Sequence, residues 1–183
     1  MKTPEDYISS GDLKFESKDY EAAIKDYDKA ISLSPKNADA YYNRGLANFF
    51  AKNMSNAIKD FTKAVELNPK HEDALFNLAN IKARLGCFQE AIVDFSKIIQ
   101  INPDDFEAHC NRGGLRMQMK DHNGAIKDFT RALDINPSDS KAYYNRGQAR
   151  MKMLDEEGAR MDFIDAARLG LSEAKDALKA LNN

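Results

Sequence analysis

Three histidines and two cysteines are the residues of this chain best suited to metal binding or nucleophilic chemistry. No two histidines fall at helical metal-ligand spacing, and Cys87 and Cys110 belong to different structural places, a turn and a helix. No metal site is expected. Glycine-rich phosphate loops, Gly-x-Ser-x-Gly elbows and cysteine-histidine pairings in a matching context are all missing, so phosphoryl and covalent acyl chemistry lack their parts. Arg112-Gly113-Gly114 resembles an RNA-binding tripeptide only in isolation. Neither an enzyme nor a cofactor is expected. A different polar series is more informative: Asn43, Asn77, Asn111 and Asn145 recur every 34 residues. Asparagine is a mediocre helix former, so propensity alone would not choose it four times. Each amide offers a donor and an acceptor, either to neighbouring backbone or to a bound chain.

The elements that carry these asparagines follow from the same period. Pro35, Pro69, Pro103 and Pro137 are 34 apart, as are Ala23, Ala57, Ala91, Ala125 and Ala159. Tyr27, Phe61, Phe95, Phe129 and Phe163 keep the beat, and so do Asp26, Asp60, Asp94, Asp128 and Asp162. A fixed period in this range marks stacked repeats, here five units at 4–37, 38–71, 72–105, 106–139 and 140–173. Within each unit, apolar residues three and four apart predict two amphipathic helices, A and B. The break between them falls at Lys52-Asn53 in the second unit and at Gly86 in the third. Ser34-Pro35 and the three Asn-Pro pairs end helix B, because proline drives its predecessor out of the α region. Gly11, Gly45, Gly113 and Gly147, with Ala79, are expected to let helix A approach the periodic alanine of helix B.

Composition sets outer bounds. The 183 residues are 43% hydrophobic and 31% charged, with 27 Lys plus Arg against 29 Asp plus Glu. A formal charge of −2 gives no field to gather nucleic acid or anionic lipid. No apolar run approaches the ~18 residues of a spanning helix, and the first twenty residues are too charged for a secretory signal. A cytoplasmic location, with reduced thiols, is the expectation.

This pattern resembles the tetratricopeptide repeat (TPR), a family of 34-residue helical hairpins, over 170 of the 183 residues. The resemblance implies an all-α fold, a right-handed superhelical solenoid of helix-turn-helix hairpins. Residues 172–183 then form a capping helix and tail, with Ser172 as N-cap. It also implies that the asparagines line a concave groove and hold an extended peptide or a partner helix. Residues on the same helical face extend that lining: Asp39, Tyr42 and Leu46; Asp73, Phe76 and Asn80; Glu107, Cys110 and Gly114; Lys141, Tyr144 and Gln148. Of these, Asp39, Tyr42, Phe76, Asn80, Lys141 and Tyr144 join the asparagines as the expected peptide-binding set. The bland alternative is that the aromatics pack on the next repeat.

The family's carboxylate clamp for acidic C-termini is incomplete. Units three to five offer Asn80, Asn111 and Lys141, but Phe76 and Asn145 stand where cations are needed. A co-chaperone-like module is therefore the alternative reading, and a weakly self-associating structural protein is another. The position held by Glu5, Asp39, Asp73 and Glu107 turns to Lys141 in the last unit, which predicts a ligand that is basic over most of its length with an acidic or C-terminal end near the fifth unit. Finally, Arg44, Arg112 and Arg146 are expected to pair with Asp60, Asp128 and Asp162 as exposed ion pairs, leaving Asp26 and Asp94 to other partners.

Overall fold

The computed structural model describes residues 2–181, so Met1 and the last two residues of the expected tail lie outside the described residues. Among the described residues there are eleven helices and no strand. Helix A of each successive hairpin is α1 (Pro4–Glu16), α3 (Ala38–Phe50), α5 (Glu72–Arg84), α7 (Phe106–Gln118) and α9 (Ser140–Lys152). Helix B is α2 (Tyr20–Leu33), α4 (Met54–Leu67), α6 (Phe88–Ile101), α8 (His122–Ile135) and α10 (Glu156–Arg168), followed by α11 (Ser172–Ala180). The chain divides into two compact units, one up to Ile81 and one from Lys82 onward.

Local chemistry starts and stops these helices at fixed places. Thr3, Asn37, His71, Asp105 and Asp139 precede the A helices, and each side chain accepts a hydrogen bond from a backbone N–H three residues on. His71 thus serves as a cap through Nδ1. Asp19, Asp121 and Asp155 cap their B helices in the same way. At the other end, Asn68 and Asn102 leave the helix in extended conformation, and Asn136 leaves it at φ −127° and ψ 89°. Their side-chain oxygens accept from the N–H two residues on, closing the turn around the proline.

The turn inside each hairpin uses a left-handed residue, and these too are 34 apart: Lys18, Lys52, Gly86, Lys120 and Leu154, at φ of 64°, 64°, 81°, 63° and 63°. Only Gly86 is suited to that conformation by its lack of a Cβ. The last hairpin ends differently, as Gly170 (φ 94°) lets Leu171 N–H reach back to Ala166 O at 3.0 Å. The expected N-cap of α11 is corrected here. Leu171 holds that place and Ser172 is the first helical residue, its hydroxyl bonded to Glu173 Oε2 at 2.8 Å.

Core packing within the first unit centres on Tyr27 and Phe61, and within the second on Phe95, Phe129 and Phe163, all 0 to 3% exposed. Each such ring contributes about 1.5 to 3 kcal/mol by leaving water. The helix A glycines make room for these rings, not for the periodic alanine as expected. A Cβ on Gly45 would stand 2.8 Å from Phe61, and one on Gly147 would stand 2.6 Å from Phe163. In the second unit Ala174, Ala177, Leu178 and Leu181 of the terminal segment pack on the Phe163 cluster. The closing helix therefore covers apolar surface that α10 would otherwise leave in water.

Candidate functional site

The A helices bring the predicted residues to comparable places. In the first unit, Asn43 is half-buried and donates through Nδ2 to Asp12 Oδ1 at 3.2 Å. Asn77 is also half-buried and turns back on its own helix, donating to Asp73 O at 2.9 Å. Tyr42 packs against the Phe61 cluster, its ring 5.8 Å from Phe61 and 4.7 Å from His71. Burial raises the Tyr42 phenol pKa, the nearby Asp73 charge adds to this, and a side-chain hydrogen bond with Asn77 offsets part of it. Phe76 and Asn80 are half-buried. Asp39 is exposed, with Oδ1 3.5 Å from His71 Nε2.

In the second unit, Asn111 and Asn145 are half-buried and make no side-chain hydrogen bond among the described residues. Tyr144 is half-buried with its ring 5.6 Å from Phe163, and Lys141 is exposed. Cys110 sits partly covered, and burial together with the charges of Asp139, Glu107 and Asp128 pushes its thiol up to about 12. A thiol so far from ionising is a poor nucleophile or metal ligand at neutral pH. Among the described residues no group of three or more His, Cys, Asp or Glu is placed to hold a metal ion.

Asp12 is the functional candidate that the sequence reading passed over. It lies three residues after Ser9, which holds the asparagine place in the first hairpin, at the offset shared by Leu46 and Asn80. Besides Asn43, it accepts a hydrogen bond from the hydroxyl of buried Tyr27 at 2.7 Å. Asp12 and Asn43 border a hollow of about 280 Å³ whose other walls are Phe15, Glu16, Tyr27 and Leu46.

Behind the A face, a charged network fixes each hairpin. Arg44 grips Asp60 through Nε at 3.0 Å and Nη2 at 2.6 Å; Arg112 grips Asp128, and Arg146 grips Asp162, with Nη2 at 2.6 and 2.7 Å. The pairing is as expected, but its exposure is corrected: the three aspartate side chains are only 6, 3 and 2% exposed. A second donor stands four residues after each arginine. Asn48, Arg116 and Arg150 reach the same aspartates at 2.9, 2.8 and 2.9 Å, completing carboxylates too deeply buried to tolerate an unfilled lone pair. Lys14 with Ser10 serves Asp26, and Lys82 with Lys97 serves Asp94, the two left over by the arginine series. Each arginine also reaches the preceding helix B: Arg44 to Asp28, Arg112 to Ser96 and Arg146 to Thr130.

The tetratricopeptide repeat family model matches residues 38–71, 72–105 and 106–139, and a second model described as TPR repeat matches 11–49. The chain belongs to the tetratricopeptide repeat family. TPR proteins generally mediate protein-protein interaction and are typically non-enzymatic scaffolds. Among solved TPR structures, a crystal structure of MamA is 24% identical, with a TM-score of 0.84, covering 94% of each chain. YrrB, described as a TPR protein with an unusual peptide-binding site, is 23% identical with a TM-score of 0.84, covering 95% of this chain and 91% of its own. MamA from Desulfovibrio magneticus RS-1 is 17% identical, at a TM-score of 0.79 over 91 and 94% of the two chains. These likenesses establish the all-α TPR solenoid fold. No curated protein matches the sequence. Among the described residues, no helix is long and apolar enough to cross a membrane.

Proposed function

We infer that this chain is a cytoplasmic protein-interaction module that holds an extended peptide, or the face of a partner helix, on its A helices. The observation that carries the reading is the state of Asn111 and Asn145. Both are half-buried on successive A helices, and neither amide spends its donors and acceptor on another of the described residues. A free amide of this kind matches the alternating N–H and C=O groups of extended backbone, at about 0.5 to 1.5 kcal/mol per net hydrogen bond. Several such contacts acting together are needed for useful affinity. Half-buried Tyr144 and exposed Lys141 then supply side-chain contacts beside Asn145, as Tyr42 and Asp39 do beside Asn43. The peptide-binding site of YrrB, a protein of the same fold, is consistent with this use of the scaffold.

The test compares the natural chain with one carrying Asn43, Asn77, Asn111 and Asn145 all changed to Ala, at equal helicity by circular dichroism. Both are panned against one displayed library of random twelve-residue peptides. Sequences enriched on the natural chain and lost from the variant are the expected result. Equal enrichment on both would move the binding surface off the A helices and return the asparagines to a structural role.

A further inference from the structure

The hollow between α1 and α3 in the first unit is bordered by two carboxylates whose charges are left unpaired among the described residues, unlike those of the aspartates on the B helices. Asp26, Asp28 and Asp60 each have a lysine or arginine partner. Asp12 and Glu16 have none among the described residues, although they border the hollow together. They stand four apart on α1 and therefore on one helix face. Asp12 is held in place: its Oδ1 takes the Tyr27 hydroxyl and the Asn43 amide, two neutral donors, and its Oδ2 takes no bond among the described residues. Phe15, Leu46 and Tyr27 supply the apolar part of the remaining lining.

We propose that this hollow receives an arginine side chain of the bound peptide, with Asp12 and Glu16 as its counter-charges. The inference rests on the interaction reading above and names the chemistry of one residue in its ligand. Three observations favour this occupant. A volume of about 280 Å³ suits one long side chain and falls just under the ~300 to 1,000 Å³ of small-molecule sites. Two carboxylates one helical turn apart present acceptors to both edges of a guanidinium fork, a match that the compact ammonium of lysine does not reproduce. The apolar walls accept the methylene stem of the arginine. An acidic side chain would meet two unneutralised carboxylates, and an apolar one would leave half-buried Asp12 without a charge partner.

The probe is the pentapeptide acetyl-Gly-Ala-Arg-Ala-Gly-amide, with a twin in which citrulline replaces arginine and so removes the charge at constant shape. Amide ¹H–¹⁵N spectra of the full chain are followed during titration at low salt. The arginine peptide is expected to shift resonances of residues 12–16 and 43–46 saturably, and the citrulline peptide to leave them in place. Glu16→Gln should weaken the arginine peptide about fivefold, the upper range for a partly exposed ion pair. Glu16→Lys, at an exposed position that leaves the Asp12 bonds intact, should abolish the shifts. Equal responses to the two peptides, or an unchanged response in Glu16→Lys, would overturn the proposal. An arginine peptide that fails here, while the four-asparagine variant still loses its library peptides, sinks this inference alone. Arginine capture that persists when the asparagine exchange changes nothing supports the hollow and removes the broader reading.

Discussion

Replacing Asp128 with Asn should cost about 3 kcal/mol, although it changes one atom and creates no cavity. The carboxylate side chain is 3% exposed and takes Arg112 Nε at 3.0 Å, Arg112 Nη2 at 2.6 Å and Arg116 Nη1 at 2.8 Å. Asparagine keeps one acceptor and turns an amide donor toward guanidinium donors, so at least one short bond becomes a donor-donor contact. Arg112 then loses its carboxylate partner, and Arg116 keeps only the longer contact with Asp121 at 3.6 Å. Removing one member of a buried pair costs ~3 to 5 kcal/mol, and the low end applies because Arg112 and Arg116 keep 14 and 23% exposure and can partly hydrate. Urea unfolding by circular dichroism gives the size of the loss, and native-state hydrogen exchange of α7 and α8 places it, since a repeat array can open one hairpin at a time. The control is Asp134→Asn on the same helix, whose contact with Arg131 is 4.0 Å long between side chains 45 and 59% exposed; its expected effect is under about 0.5 kcal/mol. A loss below about 1 kcal/mol for Asp128→Asn would refute the claim that these aspartates act as buried charges.

Neighbouring glycines should respond in opposite directions. Gly113→Ala drives a methyl to 3.0 Å from the Phe129 ring and should destabilise by about 1 to 3 kcal/mol, whereas Gly114→Ala meets nothing within 4 Å and should gain about 0.8 kcal/mol from helix propensity, both read as shifts in urea midpoint. Leu154→Gly should raise the stability of the α9–α10 hairpin by up to about 1 kcal/mol, because Leu154 is 87% exposed and holds a φ of 63° that costs an L-residue ~1 to 2 kcal/mol; a loss of stability would show that its side chain packs usefully. Burial alone would raise the Asp26 pKa, but hydrogen bonds from Lys14 and Ser10 outweigh it and hold the carboxyl below the usual carboxylate range. Its stabilising contribution is therefore complete above the unfolded value of about 3.9 and fades as pH falls through the lower folded value, so Lys14→Met should flatten the acid limb of a stability-against-pH curve.

The elements were legible because one motif is written five times, and any single ambiguous hairpin is resolved by its neighbours. Arg44 with Asp60 and Gly45 with Phe61 show what the repeat conveyed only in part. Both pairs span 16 residues, so the offset that predicts the ion pair also identifies the ring over the glycine, yet the alanine on the same helix face gave an equally regular alternative. The left-handed turn residues were readable only at Gly86. Lysine and leucine in that conformation are selected by the hydrogen bonds of the surrounding turn, and nothing in their side chains announces it. The site was less legible than the fold. Whether an A-helix asparagine is free or engaged depends on single neighbours that vary between hairpins: Asp12 occupies Asn43, while Gly114, at the corresponding place 31 residues before Asn145, offers that asparagine no side chain at all.

Arrays of this kind are described by two quantities per hairpin, an intrinsic folding free energy and a coupling to the hairpin before it. The arginines of the A helices belong to both. Arg44 closes its own hairpin through Asp60 and ties it to the previous one through Asp28, and Arg112 and Arg146 do the same through Ser96 and Thr130. One guanidinium therefore makes the two quantities rise and fall together. Trimming away a preceding hairpin would loosen the internal clamp of the hairpin left behind, so shortened versions of this array should melt over a broader range than a count of their repeats suggests.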